Sequence, residues 1–229
     1  MPNGLIDLLA DRELVAFVGA GGKTTMMLDL AEQLTRRGQV VVVTTTTKLS
    51  AQEVGASTQR FGERGPVMLV RAEGERKVTG PPPDDIDRIF RETSVDYLLV
   101  EADGAQRRPI KAPAAHEPVI PDATTLVVIV VGAAALGQPI GEVAHRPELV
   151  AALGGARLGD PVTPELVAAV AGHEDGGMRG VPHNARVVMA VTNITDAETR
   201  MAVGRVASLL ADHPRIELVL AIEPSACGG

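Results

Sequence analysis

A single cysteine, Cys227, stands among the 229 residues, so no internal disulfide can form and a reducing compartment is expected. A basic excess is missing too: Lys+Arg 22 against Asp+Glu 29 gives a formal net charge of −7. Such a chain offers no basic face to hold a nucleic-acid backbone by counterion release, which argues against nucleic acid as a partner but leaves room for one small phosphate group. Lysine is scarce, occurring only at 23, 48, 77 and 111, and arginine supplies most of the positive charge. A lysine in that background hints at a need for a compact charge that approaches one phosphate as a point. Long apolar runs are also lacking. The longest, LVVIVVGAAALG from Leu126, is too short to cross a bilayer and reads as a buried strand with its exit turn. The opening MPNGLIDLLADRE has no cationic start and is interrupted by Asp7, so it does not read as a signal peptide. These absences predict a soluble, cytoplasmic protein with no membrane partner.

A hydrophobic content of 45% over this length suits one large α/β domain spanning 1–229. LVAFV (14–18) is a continuous apolar run ending in glycine, and TTMMLDLAEQLTRRG then sets Met27, Leu30, Ala31 and Leu34 at helical spacing before Gly38. QVVVVTTTT follows as a β-branched strand and completes a βαβ unit with parallel strands buried on both faces. A hairpin turning at Glu73 and Gly74 is expected, then a helix from PPPDDIDRIFRE and a strand from VDYLLVEADGA. Residues 104–121 carry prolines at 109, 113, 118 and 121 and have neither period, which in a compact domain points to a working loop. TTLVVIVVG reads as a strand, HRPELVAAL and TPELVAAVAG as short helices, and the last third as a loop followed by strand, helix, strand. The whole predicts a three-layer α/β fold with a mainly parallel central sheet.

The chemistry centres on GAGGKTT, from Gly19 to Thr25. A dinucleotide fingerprint G-x-G-x-x-G would need glycine at 24, where Thr24 stands. The longer phosphate-loop pattern G-x4-G-K-[ST] would need it at Phe17. The shortened motif retains what the chemistry requires. Backbone N–H groups of residues 20 to 24 at a helix N-terminus can cradle a phosphate chain, Lys23 can reach the terminal phosphates and Thr24 can ligate Mg²⁺. Gly19, Ala20, Gly21, Gly22, Lys23, Thr24 and Thr25 are therefore the expected phosphate-binding residues, with ATP or GTP as ligand.

Acids that hold such a metal, or order an attacking water, stand at the end of another apolar strand. Glu101 and Asp103 are both placed for this, two residues apart, with Glu101 favoured as the one on the strand proper. Thr44 to Thr47 lie at the carboxyl edge of the second parallel strand, where open α/β sheets bind ligands; Thr45 and Thr46 are candidate contacts. Lys48 and Lys111 are candidates for a second anion contact, though a solvated lysine is the commoner state. In TNITD, Asn193 and Asp196 sit where nucleotide switches read a base, with Ile194 in place of the usual lysine. The structural alternative is a capping box of Thr195 and Glu198. The five histidines show no metal-ligand spacing to one another, and His116 beside Glu117 is the one in a suggestive place.

Taken together, VGAGGKTT, TTTTKL, VEADGAQRRPIKAPAAHEPVIP, GQPIGEVAHRPELVAALGG and TNITD resemble the YqeC family of accessory proteins for selenium-dependent molybdenum hydroxylases. The short G-x-G-G-K-T loop is also similar to that of Mur ligases, which activate a carboxylate with ATP. The family resemblance implies a P-loop protein acting in maturation of a molybdenum enzyme or its cofactor, with such an enzyme or its maturation proteins as partners. It points to Gly19–Thr25, Thr44–Thr47, Glu101, Asp103, Gly104, Lys111, His116 and Glu117.

Three activities follow as expectations. In the first, Lys23 and Mg²⁺ polarise the phosphates, Glu101 or Asp103 orders the attacking group, and the 104–121 loop closes over a second substrate. In the second, nucleotide occupancy orders that loop to dock a partner, as in a switch or chaperone. In the third, the protein is a ligase or kinase on a small acid, with Lys111 and Arg107 or Arg108 holding the acceptor's negative charge.

Overall fold

The computed structural model describes residues 4–50, 65–73 and 77–224. Apolar runs of five to seven residues become strands, and the segments of helical period become helices. β1 (Glu13–Gly19) leads through the glycine turn into α1 (Lys23–Arg36), and β2 (Val41–Thr45) follows. Next come β3 (Lys48–Ser50), β4 (Val67–Met68), β5 (Arg71–Glu73), β6 (Lys77–Thr79), α2 (Pro83–Glu92) and β7 (Tyr97–Glu101). After β8 (Ile110–Lys111) and β9 (Leu126–Gly132), three helices α3 (Ile140–Val143), α4 (Pro147–Gly154) and α5 (Pro164–Gly172) are interrupted only by β10 (Ala144–His145). β11 (Arg186–Thr192), α6 (Ala197–Leu210) and β12 (Ile216–Ile222) close the described chain.

Seven strands form one sheet in the order β12-β11-β9-β1-β7-β2-β4, and every pairing in it is parallel. β1 is central and has no exposed face. Val15 and Phe17 pack on one side with Met26, Met27, Leu30 and Leu34 of α1. On the other side, Leu14 meets Ile86 and Phe90 of α2, while Ala16 and Val18 join the layer built by α4, α5 and α6. Burying each large aliphatic or aromatic side chain of these layers contributes about 1.5–3 kcal/mol. The result is the three-layer α/β architecture with a mainly parallel sheet that the alternating pattern predicts.

Two smaller sheets decorate it. β3, β6 and β5 form an antiparallel sheet; β5 and β6 pair as the expected hairpin, with Glu73 on the strand opposite Lys77 rather than in the turn, while Gly74 and Cys227 lie outside the described residues. β8 pairs in parallel with β10, Ile110 opposite Ala144 and Lys111 opposite His145. This short pairing fastens the proline-rich segment to the start of α4. Among the described residues no helix is long and apolar enough to cross a membrane.

Candidate functional site

The glycines at the end of β1 are required by close approach. A Cβ at Gly19 (φ +94) would sit 2.3 Å from the Val130 carbonyl oxygen, and one at Gly21 (φ +82) would sit 2.2 Å from the Gly132 nitrogen. Both contacts are with the backbone at the end of β9, which cannot yield. Gly22 (φ +109) is the N-cap of α1 and supplies no side-chain cap. The first-turn N–H groups of α1 therefore need an external acceptor, and an anion is the acceptor that the helix dipole favours. One expected member of the cradle drops out: the Ala20 N–H is committed to Val130 O at 2.8 Å, because Ala20 still follows the β1–β9 ladder.

Lys23, the first residue of α1, is 4% exposed. Its Nζ donates to Gly19 O at 2.7 Å and lies 3.1 Å from Asp103 Oδ1 and 3.8 Å from Glu101 Oε1. Thr24 Oγ1 donates to Glu101 Oε2 at 2.7 Å. The Gly19 N–H donates to Asp103 Oδ2 at 3.0 Å, so Asp103 clamps the first residue of the loop as well as its lysine. Both acids at the end of the neighbouring strand thus reach the glycine loop, Glu101 from β7 itself and Asp103 from two residues beyond. Asp103 Oδ1 is buried and forms no hydrogen bond among the described residues; its contact with Lys23 is purely ionic.

The charges continue past Asp103. Lys111 Nζ lies 3.0 Å from Asp103 Oδ2, 2.8 Å from Glu117 Oε2 and 2.7 Å from Gly104 O. Arg146 Nη1 then contacts Glu117 Oε2 at 2.9 Å and Ala112 O at 3.2 Å. Three cations (Lys23, Lys111, Arg146) and three carboxylates (Glu101, Asp103, Glu117) therefore alternate in one balanced array from the phosphate loop to the start of α4. Balance matters because an unpaired charge at such depth costs several kcal/mol. Burial alone would raise the Glu117 carboxyl, but hydrogen bonds from Lys111 and Arg146 outweigh it and hold the pKa at about 2. The neighbouring His145 is lowered, first by burial and then by the charges of Arg146 and Lys111.

Lys111 corrects an expectation: its side chain is 1% exposed rather than solvated. It sits between Ile110 and Ala112, both buried, on a strand paired with β10. The 104–121 segment is correspondingly well tied down, with Pro109 O accepting from the Gly132 N–H at 2.7 Å and the Val119 N–H donating to Ala102 O at 3.0 Å. Arg146 was given no role by the sequence. It adopts φ 61 immediately before Pro147, and a residue preceding proline is driven out of the right-handed helical region. That dipeptide, and its place inside GQPIGEVAHRPELVAALGG, are the signals that point to it.

The threonines are mostly structural. Thr44 Oγ1 donates to Leu69 O at 2.6 Å, Thr45 Oγ1 to Glu101 O at 2.9 Å and Thr46 Oγ1 to Val119 O at 2.7 Å. Asp196, and not Thr195, is the N-cap of α6: its Oδ1 accepts from the Thr199 N–H at 2.7 Å. The capping-box register was thus one residue early, aspartate being at least as good a cap as threonine. Bonds from the Thr199 backbone and hydroxyl hold the Asp196 carboxyl below its usual range. Ile194 is 2% exposed in the core, which explains an apolar residue where a lysine was sought. His116 is exposed and lies outside the array.

Above the loop opens a cleft of about 670 Å³, lined by Gly21–Thr25, Thr47, Lys48, Glu101, the 104–109 segment, Gly132, Ala134 and Asn193. It lies at the carboxyl ends of the strands around β1, where sheet order and chain direction diverge and open α/β sheets bind ligands. Its volume falls in the usual range for small-molecule sites, roughly 300–1,000 Å³. Gln106 (φ 48) and Arg107 (φ 59) form the tip of the 104–109 segment, each in a left-handed conformation that costs about 1–2 kcal/mol for a non-glycine residue.

A parallel sheet whose central strand passes through a glycine loop into a helix, with lysine and threonine of that helix against an acid of the adjacent strand, defines a P-loop NTPase-like α/β protein. The chain belongs to the YqeC family. The family model described as YqeC protein matches residues 15–148. The Uncharacterized protein YqeC of Escherichia coli (strain K12) is 30% identical over 233 residues, covering 93% of this chain and 89% of that protein. Among solved structures, the chain is similar to chloroplast FtsY from Physcomitrella patens, with TM-score 0.49, 13% identity and 92% of this chain covered. The signal recognition particle receptor FtsY from Elizabethkingia anophelis gives TM-score 0.47, 18% identity and 93% coverage. The chain spans 59% and 58% of those two structures.

Proposed function

We propose that this protein binds a nucleoside triphosphate, ATP or GTP, with Mg²⁺ and acts on its terminal phosphate. One observation carries the reading: Lys23 and Thr24, at an uncapped helix N-terminus, converge with Glu101 and Asp103 of the adjacent strand segment. The residues present fit the metal. Thr24 Oγ1 and Glu101 Oε2 are hard oxygen donors 2.7 Å apart, and Mg²⁺ takes few protein oxygens and completes its shell with phosphate and water. Bound there, Mg²⁺ would neutralise charge on the terminal phosphates.

The protein's own groups do the rest. First-turn N–H groups of α1 hold the phosphates, and Lys23 leaves Gly19 O and the carboxylates to meet the terminal one. Asp103 fixes the loop through the Gly19 N–H. On the resemblance drawn from its sequence motifs, we assign this chemistry to maturation of a selenium-dependent molybdenum hydroxylase or its cofactor. Steady-state turnover of ATP and GTP with Lys23→Ala tests the reading; loss of turnover is expected, and undiminished turnover refutes it.

The buried array favours a second function of the same site, a nucleotide-gated switch. When Lys23 moves to phosphate, Asp103 keeps Lys111 as its remaining cation, so the grip of Lys111 on Glu117 and the proline-rich segment changes with occupancy. A partner that reads this segment would bind differently with and without nucleotide; identical affinity in both states rules the switch out.

A further inference from the structure

We infer that the cleft takes a small oxyanion, a carboxylate or a phosphate, as acceptor of the terminal phosphoryl group, an inference that rests on the nucleotide reading above. The two sides of the phosphate loop differ in charge. Toward β11 and β12 lies a smaller pocket lined by Thr25, Asn193, Asp29 and Glu223, with Glu223 ion-paired to Arg200. The main cleft, which reaches from Lys48 beyond β2 to Gly132 at the end of β9, is lined by Lys48, Arg107 and Arg108 besides Lys23. Three cations around one opening stand out in a chain of net charge −7. A triphosphate held on the loop through Lys23 would have its terminal phosphate in this cleft, which Lys23 also lines.

The lining also restricts the acceptor's chemistry. Glu101 is the one acid among the described residues lining the cleft, no histidine lines it, and Glu101 is engaged by Thr24 and Lys23. An alcohol or amine acceptor needs a base to take its proton, and the lining offers none to spare. A carboxylate or phosphate is already ionised. Its oxygen forms the new bond to the γ-phosphorus as the β,γ-bridging P–O bond breaks, the electron pair leaves with the nucleoside diphosphate, and no proton need move. Arg107 lines the cleft from the left-handed turn at Gln106 and Arg107, while Arg108 is tethered to Glu142 O. A planar guanidinium and a point-charge lysine lining one cleft suit an oxyanion.

The test is calorimetric titration of the full chain saturated with Mg²⁺ and a triphosphate analogue with a methylene β,γ bridge, adding succinate in one arm and inorganic phosphate in the other. Saturable binding of at least one oxyanion is expected, and the arm that binds names the acceptor. In the double variant Lys48→Ala/Arg107→Ala, affinity for that oxyanion should fall about tenfold or more, while the analogue still binds. No saturable binding in either arm, or equal affinity in the double variant, overturns the acceptor site. So does loss of the analogue itself from the double variant, which assigns these cations to the nucleotide's own phosphates. If wild-type chain fails to bind the analogue, the nucleotide reading falls and the acceptor site falls with it.

Discussion

Lys23 is held by a carbonyl and two carboxylates, a set of partners that a triphosphate must displace or join. Removing its ammonium leaves Asp103 to Lys111, so Lys23→Ala should cost about 1–3 kcal/mol of stability while still folding. Gly21 is less forgiving. Its positive φ and the 2.2 Å approach of a Cβ to the Gly132 backbone mean that Gly21→Ala should lower stability by about 2 kcal/mol or more, readable in urea unfolding. Glu117 makes a pH prediction. With a folded pKa of about 2 against an ordinary 4.5, its contribution is fully present above 4.5 and is lost as pH falls toward 2. His145, lowered from 6.5, is charged less readily when folded, so stability also declines as pH falls below 6.5. Acid titration of the thermal midpoint should show both legs, and Glu117→Gln should flatten the lower one; an unchanged profile contradicts the assignment.

At the scale of elements, the proline-rich segment is the piece whose role depends most on the array. Lys111→Met strips Asp103 and Glu117 of a shared buried cation and should cost about 3–5 kcal/mol; a loss under about 1 kcal/mol would show that the pairs are solvated. Under the switch reading, amide exchange in 104–121 and 144–147 should respond to nucleotide in wild type. The same elements show what the sequence could tell. β1, α1, β7, β9 and β11 were legible because burial on both faces or one helical stripe writes a local period. The anchoring of 104–121 was not, because its partners, His145 opposite Lys111 and Gly132 against Pro109, lie tens of residues away. Lys111 and Arg146 likewise look like surface cations until that pairing puts them beside Glu117. Glu101 and Asp103 were legible as a pair, since a strand ending in acids beside a glycine loop places them together whatever the loops do.

For the whole molecule, the seven-stranded parallel sheet brings the carboxyl ends of β2, β7, β1, β9 and β11 to one edge, and the loop, its acids and the cleft all sit there. The central claim is that this edge holds a nucleoside triphosphate through Lys23 and Mg²⁺. The direct measurement is the thermal midpoint of the purified protein with ATP, GTP or CTP, each with and without Mg²⁺, because a ligand that binds only the folded state must raise it. At a hundredfold excess over its dissociation constant a nucleotide adds about 2.7 kcal/mol of stability, a shift of several degrees. The expected result is a magnesium-dependent rise with ATP or GTP that disappears in Lys23→Ala. No rise with any of the three, or a rise that survives Lys23→Ala undiminished, would contradict the claim.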